Sequence, residues 1–340
     1  GMPANRGVVE QVMSKCVSNI TPLIVPEVTE CFSHSGDKMI VAVRVAPSPD
    51  APHATNRNTK VYVRTGRQGS PEELASIDRI QWILKRREKL LEFRQWLIER
   101  ASQRFDMLVA GRVPGVDSSR DDATKGLLTL SICPFYPDPT PLLRAPELSP
   151  VRSDIYVKDP MGTAYRFPLD EGVSARSVED GIIMHIPGGD NLRTYHTHLN
   201  ILGLYLYKQS MMWTPPRRHG VGELHPPGMR FVEIVARLLS LLHSADKFYR
   251  KLKYNGPLSI HLKLERFEGI ALLTSNLRDG EYGRQFSADH LIQAETTTTT
   301  YSMLRDRGEL VRDLAQRVAW SFDYDVSIEN IDEYAGKHFG

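Results

Sequence analysis

Two stretches near the N-terminus decide how the chain is read: EVTECF over Glu27 to Phe32 and MIVAVRV over Met39 to Val45. Both alternate at period two, as strands with one buried face do. Between them stand Ser35, Gly36, Asp37 and Lys38, with a glycine available for the turn, so a β-hairpin is expected. Upstream, Gly7 to Asn19 reads as a short helix with Val8, Val9, Val12, Met13 and Cys16 as its apolar stripe, ended by the turn at Thr21 and Pro22. Downstream, a polar loop through Asn56 to Asn58 leads into a further alternating strand, Lys60 to Thr65, with Val61 and Val63 facing opposite to Tyr62 and Arg64.

Ser70 stands three residues before Glu73, with Pro71 at the first helical position. This is a capping box, and a helix is expected from residue 70 to about Phe105. Ile77, Leu84, Leu91, Ile98 and Phe105 share one heptad position, supported by Ile80 and Ala101 and interrupted by Arg87 and Arg94. A helix this long leaving a small β unit is expected to be a connector or an arm through which two copies dimerise along that seam. The polar run Gly111 to Asp122 is the expected domain boundary.

Beyond it, Leu127 to Cys133, Ser153 to Lys158, Thr163 to Phe167, Gly181 to Ile186 and Thr194 to Tyr207 read as strands, separated by loops such as Pro134 to Pro150. An apolar helix is expected from about Met229 to Leu252, with Phe231, Val235, Leu238, Leu242 and Phe248 facing a core. Leu258 to Leu264, Gly269 to Thr274 and Leu291 to Tyr301 read as strands, and Arg307 to Phe322 as a last amphipathic helix. The expected fold is α+β: a partial β unit over 1–75, a long connecting helix over 70–110, and a larger antiparallel sheet domain with helices over 123–340.

Composition narrows the function classes. The 340 residues are 41% hydrophobic and 25% charged, which excludes collagen-like, coiled-coil and wholly disordered chains. Lysine and arginine number 43 against 41 acids, so any affinity for a polyanion must come from local clustering. Cys16, Cys31 and Cys133 are far apart and without CxxC spacing, against a disulfide framework or cysteine-built zinc site. The greasiest stretch, Asn200 to Trp213, is interrupted by Lys208, Gln209 and Ser210, so no membrane span is expected. The start has no signal-peptide pattern, and Gly1 before Met2 looks like a cloning scar. A reducing, cytoplasmic setting is the expectation. No P-loop, strand-GxGxxG-helix, HExxH or GxSxG pattern occurs, and no cofactor is expected.

The hydrophobic strand at 39–45, Pro52-His53, the KVYVRTG run at 60–66 and the SPEE run at 70–73 together resemble the C-terminal half of the Schlafen/AlbA-type DNA-binding domain. Ile20 to Pro22 and Pro26 to Val28 resemble that family's lead-in, and the likeness covers residues 7–75. It implies a nucleic-acid-binding module, DNA ahead of RNA, in a transcriptional regulator. The family's N-terminal half, which in Schlafen nucleases carries the catalytic acids, has no counterpart before Gly7, so no catalytic residue is assigned. The resemblance therefore carries the expectation that the chain is a fragment or that the unit is truncated. Half a sheet leaves an unpaired edge that something must cover.

Within the matched part, Arg44, Arg57, Lys60, Arg64 and Arg67 are the cations expected to converge on phosphate oxygens. Arg64 reads equally as a structural arginine paired with an acid. Lys85, Arg86, Arg87 and Lys89 form the densest basic cluster, with Lys85 and Arg86 as further candidate nucleic-acid contacts, though Glu88 and Glu92 answer it as on a solvated helix face, the commoner arrangement. Trp82, Trp96 and Tyr62 have the shape to stack on bases, though their spacing also suits core packing.

In the second unit, His185, His196 and His198 would share one sheet face if 187–193 makes a hairpin, a set suited to Zn2+ or another divalent metal. Histidines on a half-exposed sheet face are the commoner arrangement. Lys263 and Glu265 with Asp154 or Asp180 imitate a nuclease constellation in the wrong order, and Arg217 to His219 suit a basic surface turn. The preferred expectation is a non-catalytic nucleic-acid-binding regulator with a C-terminal sensing domain. The alternatives are a metal-dependent nuclease or nucleotide hydrolase, and a dimeric structural protein.

Overall fold

The hairpin expected around Gly36 forms, and its register follows the alternation in sequence. In the computed structural model, β1 (Glu27–Phe32) pairs antiparallel with β2 (Lys38–Arg44), matching Phe32 with Met39 and Glu27 with Arg44. The turn closes with Gly36 at φ 74, in the left-handed region that a side chain disfavours. The structure describes residues 2–3, 7–21, 24, 26–45, 52–55, 61–63, 72–73, 77–110, 125–158, 166–168, 173–186, 194–213, 228–275 and 282–332. They form an α+β protein of two compact units, Gly1–Phe93 and Arg94–Gly340. The division falls inside a long helix, and the polar stretch 111–122 lies outside the described residues.

In the first unit, α1 (Val8–Asn19) packs near β1, and Met2–Pro3 adds a short third strand on β2. Ile20–Thr21 pairs with Ala54–Thr55, and Tyr62–Val63 with Glu72–Glu73. That last ladder corrects the helix start expected at residue 70. Glu73 spends its backbone groups on Tyr62, so it is not in a first helical turn, and α2 runs over Ile77–Val109.

The second unit is built on a seven-stranded antiparallel sheet. Its strands are β3 (Leu127–Pro134), β4 (Ala175–Val178), β5 (Gly181–Ile186), β6 (Tyr195–Asn200), β7 (Tyr205–Ser210), β8 (Pro257–Glu265) and β9 (Leu291–Thr299), in the order β4-β5-β6-β7-β3-β8-β9. The single strand expected from Thr194 to Tyr207 is two strands joined by a tight turn. The side chain of Asn200 accepts from the Leu202 amide at 2.6 Å, and Gly203 takes φ 93. The strand expected from Ser153 is also corrected: α3 (Leu148–Asp154) sends Leu148 and Val151 into the core, and only Val157–Lys158 is extended.

Period two gives this sheet two unlike faces. Leu128, Leu130 and Ile132 of β3 join Tyr205, Tyr207, Leu258, Ile260 and Leu262 under α4 (Phe231–Lys251), which adds Ile234, Leu238, Leu241, Leu242 and Phe248. Alongside it α6 (Arg307–Ser321), preceded by α5 (Thr300–Arg305), contributes Val311, Leu314 and Val318. The opposite face carries Thr129, Ser131, His196, His198, Lys208 and Ser259, all buried. Burying polar groups requires a cover, and the Arg94–Val109 part of α2 supplies it through Leu97, Ala101 and Phe105. No helix among the described residues is long and apolar enough to cross a membrane.

Candidate functional site

Of the cations expected to face phosphates, Arg44 is exposed at the end of β2, whereas Arg57, Lys60, Arg64 and Arg67 lie outside the described residues. On α2, Lys85, Arg86 and Lys89 are exposed and Arg87 is half-buried. The core packing considered for Trp82 is not what the structure has: the indole is 59% exposed, and the Arg86 guanidinium lies 5.7 Å from its centre. Residues four apart share a helix face, so an aromatic plane and a cation stand side by side. Arg44 is joined on the hairpin by exposed Phe32, Ile40 and Val43.

The heptad seam does not stay on one surface. Ile77 is 73% exposed and Leu84 is exposed, while Leu91 and Ile98 are half-buried. Phe105 is fully buried within the second unit and is not available to a second copy. Its ring meets those of His196 and His185 edge-on, at 5.4 and 6.1 Å, and the Lys208 ammonium lies 4.7 Å from its centre.

The hairpin register places His185 directly opposite His196, with ring centres 5.6 Å apart, and His198 two residues on along β6. The three do share a face, but they do not gather as ligands. Among the described residues no three His, Cys, Asp or Glu side chains are placed to hold one metal ion. Phe105 packs against the first two, and His198 turns to Asp180 and Arg104, its Nε2 lying 3.7 Å from the carboxylate and 3.2 Å from the guanidinium. Arg104 is bound to Asp180, and Arg100 to Glu179 at 2.6 Å.

The electrostatics follow from this packing. Burial holds His196 well below the usual imidazole range, assisted by His185, His198 and Lys208. Burial and then the charge of Arg176 lower His185 to about 4. Burial also lowers His198 and outweighs the opposing pull of Asp180. For Asp180, burial works upward, but the neighbouring His198 and the hydrogen-bonded charge of Arg104 prevail and hold the carboxyl well below its usual range. Lys208 is lowered by burial against the raising effect of Asp106 and Glu265. The face is thus a set of neutral imidazoles and one anchored carboxylate under a helix.

A second polar group lies toward the sheet edge. Ser259 Oγ is 2.9 Å from His261 Nε2 and donates to Glu295 at 3.1 Å, and Glu295 also accepts from Arg94 at 3.3 Å. Hydroxyl and carboxylate both address the same ring nitrogen, since His261 Nε2 is 3.4 Å from Glu295. A nucleophile relay needs them on opposite nitrogens, so this trio has the composition of a triad without its wiring. The Cys133 thiol is buried and raised to about 12 by that burial, against the lowering charge of Arg94, which leaves it inert as a nucleophile. Lys263 pairs with Glu265, Asp154 with Lys251 at 2.6 Å, and Asp180 with Arg104, so the imitation of a nuclease constellation is dispersed over three separate ion pairs.

Sequence reasoning missed the role of Arg104, Lys208 and Phe105 in this cluster. The one signal for it is Lys208 interrupting an apolar strand. By fold and site this is an α+β protein whose second unit has a covered polar sheet face, and whose first unit presents a cation beside an exposed indole. No family model, curated protein or solved structure matches the chain.

Proposed function

We propose that the protein binds nucleic acid through its first unit, as a non-catalytic regulator whose second unit serves as an interaction domain. The observation that carries the reading is the exposed Trp82 indole with Arg86 over it and exposed Lys85 and Lys89 on the same helix. A base stacks on an indole whatever its identity, and neighbouring cations neutralise phosphates, which favours segments with unpaired bases. The sequence pattern at 39–73 and exposed Arg44 add support from the same unit.

The test is a salt titration of binding to fluorescent single- and double-stranded DNA and to RNA. Trp82→Ala is expected to weaken binding by about 1–3 kcal/mol. Arg86→Gln is expected to flatten the dependence of log K on log[salt] by about one phosphate contact. No affinity at low salt, or affinity unchanged in both variants, would overturn the reading.

A further inference from the structure

We infer that the outer edge of β9 is a docking site for an extended peptide carrying lysine or arginine, which adds to the sheet as an eighth strand. β9 ends the strand order, with β8 as its one neighbour among the described strands. Edges of this length are usually guarded by charged side chains, proline or a bulge, and the run LIQAETTTT has no proline and a single charge, Glu295, already paired with Arg94. A contact from α6 reveals which backbone groups face outward. Arg317 of α6 donates to the Glu295 carbonyl at 3.4 Å, from the side away from β8. In an antiparallel ladder such residues alternate, so Leu291 and Gln293 also turn their N–H and C=O outward.

Those two residues open onto a groove of about 640 Å³ between β9 and the C-terminal part of α6. Its walls hold Trp320, 78% exposed, and the carboxylates of Asp289, Asp313 and Asp325. Among the described residues Arg317 is the one cation lining it, and it is bound to Asp313 at 3.1 Å. The described walls thus carry three carboxylates against one arginine, beside an indole face. Outward backbone groups give an extended chain its hydrogen bonds, and alternate side chains then fall into the groove. Cationic ones meet both the acids and the ring.

The experiment uses the full chain and two synthetic hexapeptides, acetyl-KVKVRV-amide and acetyl-EVEVEV-amide, titrated calorimetrically, with amide hydrogen exchange read along β9. The expected result is saturable binding of the basic peptide, at least tenfold weaker binding of the acidic one, and slowed exchange at 291–295. Trp320→Ala, at a side chain standing in water, and methylation of alternate peptide amides should each weaken binding about tenfold or more. Gln293→Pro removes an outward N–H while sparing the ladder to β8 and should do the same. Absent binding, equal binding of both peptides, or protection elsewhere than β9 overturns the inference. So does a mass that doubles with concentration in light scattering and reverts in Gln293→Pro without peptide binding, because the edge would then serve a second copy.

Discussion

Replacing Phe105 with alanine removes the side chain through which α2 seals the polar face. The ring is fully buried, edge-on to His185 and His196 and under the Lys208 ammonium. Emptying a buried phenylalanine site costs about 3–5 kcal/mol. Loss of the desolvated cation–ring contact adds about 1 kcal/mol. For a unit of this size, about 2–4 °C is lost per kcal/mol, so the melting transition of the second unit should fall by about 10–20 °C. Scanning calorimetry reads that directly, and NMR titration of His196 supplies a second readout. Water admitted beside the imidazole should raise its pKa toward the ordinary value of about 6.5. Met107→Ala, at a half-exposed position on the same helix, should cost no more than about 0.5 kcal/mol. A Phe105→Ala protein melting within about 3 °C of the parent, or a Met107→Ala protein losing as much, would refute the view of α2 as a packed cover.

Acid should weaken the same unit in a defined window. His185 is depressed to about 4, so below about 6.5 the unfolded chain takes up a proton that the native state refuses. Stability is therefore intact above that range and falls as pH drops from about 6.5 to about 4. The full shift corresponds to about 3 kcal/mol, reduced to about 1–2 kcal/mol by the ring's partial exposure to water. Calorimetry at stepped pH should show the slope, and His185→Gln should make it shallower by that amount, leaving the part that His196 and His198 contribute. Gly181→Ala should cost about 3 kcal/mol in denaturant melts, because a methyl there strikes the Leu199 carbonyl, a backbone atom that cannot swing aside. Gly36→Ala meets no neighbour within 4 Å, so it should cost about 1–2 kcal/mol from its positive φ alone.

Much of the fold is legible in the sequence where periodicity is local. The β1–β2 hairpin, β5, β8 and α4 fall within a residue or two of expectation because each alternates, or repeats on one helix face, without interruption. The turn between β6 and β7 is hidden because Ile201, Leu202 and Leu204 continue the apolar run, and Asn200 and Gly203 alone betray it. The helix start at residue 77 is obscured by a capping signal whose Glu73 pairs as strand. Shared facing of His185, His196 and His198 follows from period two. That Phe105 fills the space among them does not, because a heptad seam states which residues are apolar and not what they pack against. Trp82 is the reverse case: spacing suits burial, and only the fold leaves the indole in water.

Photocrosslinking of a thymine-rich single strand to the full chain, followed by mass spectrometric mapping, tests the central claim most directly. The account predicts adducts at Trp82 and within residues 39–73, diminishing as salt rises. Adducts confined to residues 94–340, or none under conditions of measurable binding, would contradict it.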